Sequence, residues 1–504
     1  MLEKWKREGV TRRGFVKGTV AGSAAVMLTG LAGGESFAKM PKKWDSESDV
    51  VVIGGGGGGL AAAVESATKG ASVVVLEKTP LVGGSSAICG GSLAFAGTDM
   101  QAAKDVKDST EIFRKDQLAV GENMNDPVQV KAYLDHQLDT YYWLKKAGVK
   151  FLSLVIVSGM SLPRSHKVNP GDVIKILNDL AKAKGAKVLT GVAATRLIWD
   201  EKTGMIRGVQ VERKGGIVNY GAKKGVILAS GGFSLNKDLM AKFVPLMTKA
   251  KAIVGRGSTG DGLKMAWAYG ADIKDMPYIK ATYGNHPVAD GTEDRIHIYY
   301  QGAIIVNKNG KRYVNESISY KLLADACFQQ PDAVGFSIYD ASIRENEMKA
   351  STSRLPVLEK KGLTYEAGSI RELAQKIGVP ESTVEATVKE YNDNVDKGVD
   401  PQFGRTTLVA AYGKPLKIEK PPFYAFPSTG VLLGTYGGIV IDGKARVLDV
   451  FGEAIPGLYA AGEVTGGLHG AAYLTGTAFG KALVFGRIAA QSVLEKKAVG
   501  KGKA

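Results

Sequence analysis

The residues best placed to do chemistry are backbone donors rather than side chains. Six consecutive glycines run from Gly54 to Gly59, and the GxGxxG spacing fits them in one register only: Gly54, Gly56 and Gly59, with Glu77 eighteen residues after the last. Each position has a physical task. Gly54 permits a tight turn, Gly56 lets the main chain approach a pyrophosphate, and Gly59 lets the following helix pack against the preceding strand. The helix N-terminus attracts phosphate charge, and Glu77 can accept a ribose hydroxyl. The chemistry is therefore the holding of a dinucleotide.

These residues need a βαβ unit to position them. Val50-Val51-Val52-Ile53 is a continuous apolar strand, Leu60–Glu65 reads as helix, and a second apolar strand at Ala71–Leu76 ends in Glu77. A glycine linker is excluded because both flanks are strongly apolar. A second glycine loop, Gly83-Gly84-Ser85-Ser86, follows Lys78 closely, as a larger flavin dinucleotide requires. Further strands are expected at Val226–Ser234 and around Gly457–Gly467, with a helix over Gly476–Arg487. Elements about 400 residues apart would thus meet on one ligand, which predicts a discontinuous domain with an insertion.

Composition agrees with a large nucleotide-binding enzyme. The chain has 504 residues, 44% hydrophobic and 23% charged, and its 65 glycines are about twice the usual share. Only Cys89 and Cys327 are present, too few for a disulfide framework, an iron–sulfur cluster or a thiolate zinc site, and no metal site is expected. The net charge is +16, of which the first 38 residues carry +3, leaving +13. No basic block is interleaved with aromatics, which argues against nucleic acid. Thr11-Arg12-Arg13-Gly14-Phe15-Val16-Lys17, a charge-free run from Gly18 to Gly34 and Ser36-Phe37-Ala38 resemble a twin-arginine export signal over residues 1–38. The run is short and weakly apolar for a permanent span. The expectation is a mature protein in the periplasm with no stable membrane span.

Six segments together carry a family resemblance: VVVIGGGGGGLAAA, LEKTPLVGGSS, STGDGLKMA at 258–266, GAIIVNKNGKRYVNE at 302–316, YNDNVDKGVDPQFGR at 391–405 and GLYAAGEVTGGLHGA at 457–471. They resemble the flavoproteins that include soluble fumarate reductases, urocanate reductases and 3-ketosteroid dehydrogenases. The resemblance implies an α/β fold: a discontinuous Rossmann-like FAD-binding domain, residues 39–280 and 434–504, with an inserted α+β capping domain over 281–433. The cap's helices are visible in the apolar periodicity of Ile370–Ile377 and Ser382–Val395. It implies bound FAD, held without a covalent link, against Gly54, Gly56, Gly58, Gly59, Glu77, Lys78, Gly83, Gly84, Ser85, Ser86, Gly90, Gly91, Ala193, Ser230, Gly231, Asp261, Gly462, Glu463, Thr477 and Ala478. The expected partners are a small-molecule substrate and an electron donor such as a periplasmic cytochrome.

The chain departs from the fumarate-reducing members at their active site. Tyr320 stands where the family's proton-donating arginine belongs, Tyr473 replaces an arginine that grips carboxylate, and Gly434 replaces a histidine. The relay residues of those enzymes are replaced near Ile296 and Tyr299. NESISY resembles instead the ketosteroid dehydrogenase pattern. That likeness implies that Tyr320 moves a proton while Tyr473, with the backbone N–H of Thr477, polarises a carbonyl. A neutral phenol suits a ketone or enone, whereas paired guanidiniums suit a dianion. An ordinary phenol titrates near pH 10, which favours Tyr320 as donor and hence the reductive direction. His286 and His297 read as a relay or as surface residues, His469 as packing by the flavin, and Tyr299 and Tyr300 as substrate wall or plain packing. Arg295, Arg312 and Arg344 leave open a carboxylate grip from another side. The leading expectation is an exported FAD-dependent reductase of a carbonyl-activated C=C bond. The alternatives are a 3-ketosteroid dehydrogenase and a non-catalytic flavin carrier.

Overall fold

The computed structural model describes residue 38 and residues 40–495, apart from 158, 214, 290, 292, 350–352 and 409–412. The export-signal expectation lies outside the described residues.

Val50, Val51 and Val52 are wholly buried, which requires cover on both faces of their strand and therefore a central place in a parallel sheet. That is where Ser46–Ile53 lies. It pairs in parallel with Val73–Glu77 on one side and Gly216–Leu228 on the other. Ala454–Ala460 adds in parallel beyond Gly216–Leu228, and Lys187–Thr190 beyond Val73–Glu77. Arg446–Leu448 and the antiparallel pair Ala194–Asp200 and Met205–Arg213 complete eight strands. The helices Gly57–Thr68 and Thr477–Leu494 pack against each other, joining the two ends of the chain. The result is a mixed α/β architecture on a parallel sheet.

Between these ends, a six-stranded sheet is organised by one long strand, Phe423–Thr435. Ile279–Asn285, Gly335–Asp340 and Tyr365–Ala367 pair with it antiparallel, and Lys251–Ala252 pairs in parallel. Ile304–Asn307 extends the sheet from Gly335–Asp340. The expected insertion limits, 281 and 433, fall inside Ile279–Asn285 and Phe423–Thr435. The helix Tyr320–Phe328 packs on both of these strands. It starts at Ser319, whose hydroxyl accepts from the Lys321 N–H, so the cap fixes where the first helical side chains point.

A buried ionic network holds the loops around this helix. Arg312 contacts Glu316 at 2.8 Å and Asp400 at 3.0 Å. Arg405 donates to the carbonyls of Tyr299 at 2.6 Å and Ala303 at 3.0 Å, and to Ser317 Oγ at 3.1 Å. The segments around 300, 316 and 400 are thereby tied together beside Tyr320.

Candidate active site

The glycine loop forms a cradle whose shape follows from backbone contact. A Cβ on Gly59 would lie 1.9 Å from the Gly54 carbonyl oxygen, and Gly54 itself has φ +104° with Ala229 O 2.3 Å from where a Cβ would stand. Gly56, the N-cap of the helix Gly57–Thr68, has no side chain to cap it, so apart from the Gly57 N–H its first turn keeps donors for an external anion. Glu77 Oε2 accepts from the Gly55 N–H at 2.8 Å, while Oε1 accepts from Thr79 N–H at 2.7 Å. The carboxylate thus shapes the loop through both of its oxygens.

Several of the other predicted cofactor residues lie against this cradle or against one another. Ser86 Oγ accepts from the Gly57 N–H at 3.2 Å, and Ser85 Oγ from the Gly255 N–H at 3.0 Å. Lys78 pairs with Asp261 at 2.6 Å. Val192, next to Ala193, donates its N–H to the Glu77 carbonyl at 2.8 Å. Gly91 closes against the Val168 carbonyl, the Gly90 carbonyl accepts from Lys167 at 3.0 Å, and Gly231 lies near Ser258. Ser230 Oγ is buried with no hydrogen-bond partner, and Glu463 is buried, accepting from the Thr435 N–H at 2.9 Å. Burial pushes the Glu463 carboxyl up, against the pull of Lys280 and Lys481. An orphaned hydroxyl, a glycine cradle and an uncapped helix start fit a dinucleotide with a polar flavin headgroup. Ser258 and Thr259, read in the sequence only as part of STGDGLKMA, also enter: Ser258 Oγ lies 3.4 Å from Ser85 Oγ, and the Thr259 hydroxyl donates to Asp261 at 2.9 Å.

A second cluster assembles around Tyr320, at the first position of its helix. Its ring stacks on His297, with centroids 5.5 Å apart and planes 6° off parallel. Its hydroxyl lies 3.5 Å from Thr475 Oγ1, and Tyr473 is close enough to act on its titration. Burial first, then Tyr473, holds the Tyr320 phenol far above its ordinary pKa. Tyr473 is likewise raised by burial, and its ring packs edge-on against His469 and tilted against Tyr436. His297 and His469 are both kept neutral by burial, with His297 pushed down to about 3. His297 Nε2 has no hydrogen-bond partner. The histidine is therefore half-buried and held neutral rather than carrying a positive charge.

Several expectations resolve differently. The Thr477 N–H donates to the Leu474 carbonyl at 3.0 Å, so this structure pairs it within its own turn rather than presenting it with Tyr473. The Thr477 hydroxyl also bonds Leu474 O, at 2.6 Å, and lies 3.4 Å from His469 Nδ1. Ala478 follows in the same first turn of Thr477–Leu494. Tyr299 and Tyr300 are packing residues: their hydroxyls reach the carbonyls of Tyr283 and Ile318 at 3.5 and 3.2 Å. Arg312 and Arg344 are engaged by Glu316, Asp400 and Glu359. His286 packs on Phe426. Cys89 and Cys327 are both free thiols.

Two residues that sequence reasoning did not single out enter the tyrosine cluster. Lys321 Nζ sits 4.0 Å from the Tyr473 ring centroid and donates to the Tyr473 carbonyl. Lys280 Nζ lies 4.6 Å from the same centroid. No helix among the described residues is long and apolar enough to cross a membrane.

Comparison with known proteins agrees with this geometry. A model described as FAD binding domain matches residues 49–478. The chain is 34% identical over 453 residues to a fumarate reductase (cytochrome) of Shewanella frigidimarina, covering 88% of this chain and 76% of that one. It is 31% identical over 505 residues to an acrylate reductase flavoprotein subunit of Shewanella woodyi, covering 96% and 98%. Among solved structures, a 3-ketosteroid-Δ4-(5α)-dehydrogenase of Rhodococcus jostii superposes with a TM-score of 0.75 at 27% identity, covering 90% and 98%.

Proposed function

Because the chain belongs to the FAD binding domain family, and like its reductase relatives is an FAD-dependent oxidoreductase acting on CH–CH bonds, we propose that it reduces a C=C bond conjugated to a carbonyl, with Tyr320 as proton donor. FAD when bound supplies the hydride, from N5 of its ring. Everything else falls to the chain. The glycine cradle with Ser85, Ser86, Ser230, Asp261 and Glu463 holds and orients the dinucleotide. Buried aromatic side chains exclude water from the reacting bond. Tyr320 delivers a proton to the carbon that does not take the hydride, and the Thr475 hydroxyl is its nearest route for replenishment.

The observation that carries this reading is the place of Tyr320, half-buried in an aromatic cluster with its ring stacked on His297 and its hydroxyl beside Thr475 and Tyr473. A phenol raised above its ordinary range has almost no base form with which to abstract a proton. As an acid it is weak, so it donates to the strongly basic enolate carbon that hydride delivery creates, which supports reduction over dehydrogenation. A ketosteroid dehydrogenase remains the second reading, favoured by the tyrosine pair and by the structural neighbour of that name. Electrons would come from a separate carrier: one relative is named as a flavoprotein subunit and another as a cytochrome enzyme. The basic surface, +13 outside the first 38 residues, would steer an acidic carrier most strongly at low salt. Export to the periplasm is part of the same proposal, supported by the twin-arginine-like segment around Arg12 and Arg13.

Anaerobic oxidation of reduced viologen by the FAD-loaded protein tests the reading. Acrylate, cinnamate, urocanate, fumarate and a 4-ene-3-ketosteroid are the panel. Consumption of viologen with at least one unsaturated acid or enone supports it. Dye reduction by a saturated ketosteroid, with no viologen oxidation by any member, would replace it with the second reading.

A further inference from the structure

Replacement of both expected active-site arginines by tyrosines suggests a neutral site, yet the structure returns positive charge from different backbone positions. Lys280 comes from the strand Ile279–Asn285, opposite Gly434 in register, and Lys321 from the first turn of Tyr320–Phe328. Their ammonium groups lie 4.6 and 4.0 Å from one ring centroid, that of Tyr473. Arg295 also acts on Tyr473. Among the described residues none of the three cations has an acid within ion-pair distance. The carboxyl nearest in influence to Lys280, Glu463, is engaged by the Thr435 N–H. Lys321 is 8% exposed, and an ammonium so buried, bonded to a single carbonyl, has donors to spare. Two like charges converging on one ring without a counter-ion are a state that a mobile anion relieves.

We propose that Lys280 and Lys321, with Arg295 behind them, form an anion site over Tyr473 that takes the carboxylate of a mono-anionic 2-enoate, and that this site sets substrate choice. The site takes one carboxylate, shared by the two ammonium groups that approach this ring. The rest of the substrate meets uncharged groups: Tyr320, Thr475, Tyr436, and the neutral rings of His297 and His469. This favours an apolar or aromatic β-substituent over a second carboxylate. The assignment deepens the proposed function and rests on it for the word enoate; the anion site itself does not depend on turnover.

Titration supports the geometry. Burial, and then Lys280, push Lys321 down to about 7. The groups facing it are Lys280 from the strand, Tyr473 and neutral His469 from the 469–477 loop, and Tyr320 on its own helix; Asp325, one turn on, makes no ion pair with it. Asp325 is raised to about 6 by burial. A bound carboxylate would draw a proton onto Lys321 where it is otherwise largely neutral.

The test is calorimetry on oxidised, FAD-loaded protein with 3-phenylpropanoate, which cannot be reduced, against 3-phenylpropanamide and succinate. The acid should bind at least about tenfold more tightly than the amide, the worth of one charged hydrogen bond. Lys280→Met should weaken the acid by about 10–100-fold and leave the amide unchanged. At about pH 8, binding in buffers of different ionisation enthalpy should show uptake approaching one proton, falling to none at about pH 5.5. Lys321→Arg should keep the affinity and lose the uptake. Equal binding of acid and amide, tighter binding of succinate than of 3-phenylpropanoate, or zero uptake at the higher pH would each overturn the assignment. Binding of the acid with no reduction of any unsaturated acid would sink the reductase reading while leaving the anion site standing; reduction of an enone with no acid binding would do the reverse.

Discussion

Replacing Tyr320 by Phe removes one oxygen and leaves the rest of the cluster intact. The phenyl ring still stacks on His297 and still lies 5.8 Å from Lys321 Nζ. The hydroxyl's 3.5 Å approach to Thr475, at the long limit of a hydrogen bond, disappears together with its interaction with the Tyr473 hydroxyl. The stability cost should therefore stay below about 1 kcal/mol. General acid catalysis is typically worth about 10²–10⁴ in rate, or about 2.7–5.4 kcal/mol at about 1.36 kcal/mol per tenfold. Stopped-flow absorbance separates the half-reactions. Reduction of the flavin by viologen should be unchanged in Tyr320→Phe, while its anaerobic reoxidation by the unsaturated substrate should slow by about 10²–10⁴. The wild-type rate should also persist through the range where a free phenol ionises, since burial raises the Tyr320 pKa. Reoxidation within about threefold of wild type would refute the assignment. Equal slowing of both half-reactions would point to a misplaced flavin and would also refute it.

Other consequences are equally direct. Gly59→Ala places a methyl 1.9 Å from the Gly54 carbonyl, a backbone atom that cannot give way, so the purified protein should carry less than about a tenth of the wild-type flavin per chain; a fully yellow variant would contradict the cradle. Arg405→Met removes donors from two carbonyls and a neighbour of buried Glu316, and urea unfolding should show a loss of about 3–5 kcal/mol, whereas a change under about 1 kcal/mol would deny the network its role. His166, fully buried between Thr98 Oγ1 and the Arg164 carbonyl, is lowered to about 4 by burial. Its unfolded imidazole protonates first as pH falls from about 6.5, so stability should drop by up to about 3 kcal/mol by pH about 4. His166→Gln should flatten that slope, and an unchanged slope would show that other groups set it.

The parallel sheet was legible because strands covered on both faces must be continuous apolar runs, and Val50–Ile53 and Val226–Leu228 are. The helices Ile370–Ile377 and Glu381–Lys397 were legible because each buries one stripe, and the second exceeds its expected span only where Pro380 starts it and Gly398 in the left-handed region stops it. Lys280 and Lys321 were not legible. A lysine in a strand or in a first helical turn reads as solvent-facing, and what covers Lys321 and draws Lys280 to the same ring is the 469–477 loop folding back from far along the chain. The one local signal was Lys321 directly after NESISY. His297 was ambiguous for the same reason: its burial depends on stacking with Tyr320, 23 positions later.

The relocated cations also bear on the choice between substrates. From residue types alone, phenols at 320 and 473 argue for a neutral ketone, since a phenol hydrogen-bonds a carbonyl without needing a counter-charge. With Lys280 and Lys321 over the Tyr473 ring, a neutral steroid would seal two ammonium groups away from water and supply no opposite charge. Desolvating a cation without a partner costs several kcal/mol, and Lys321 would have to give up its proton to avoid it. An unsaturated acid meets the same groups with a carboxylate and turns that penalty into recognition. The same two tyrosines can therefore serve opposite substrates in different chains, and what decides between them is the charge delivered from neighbouring elements.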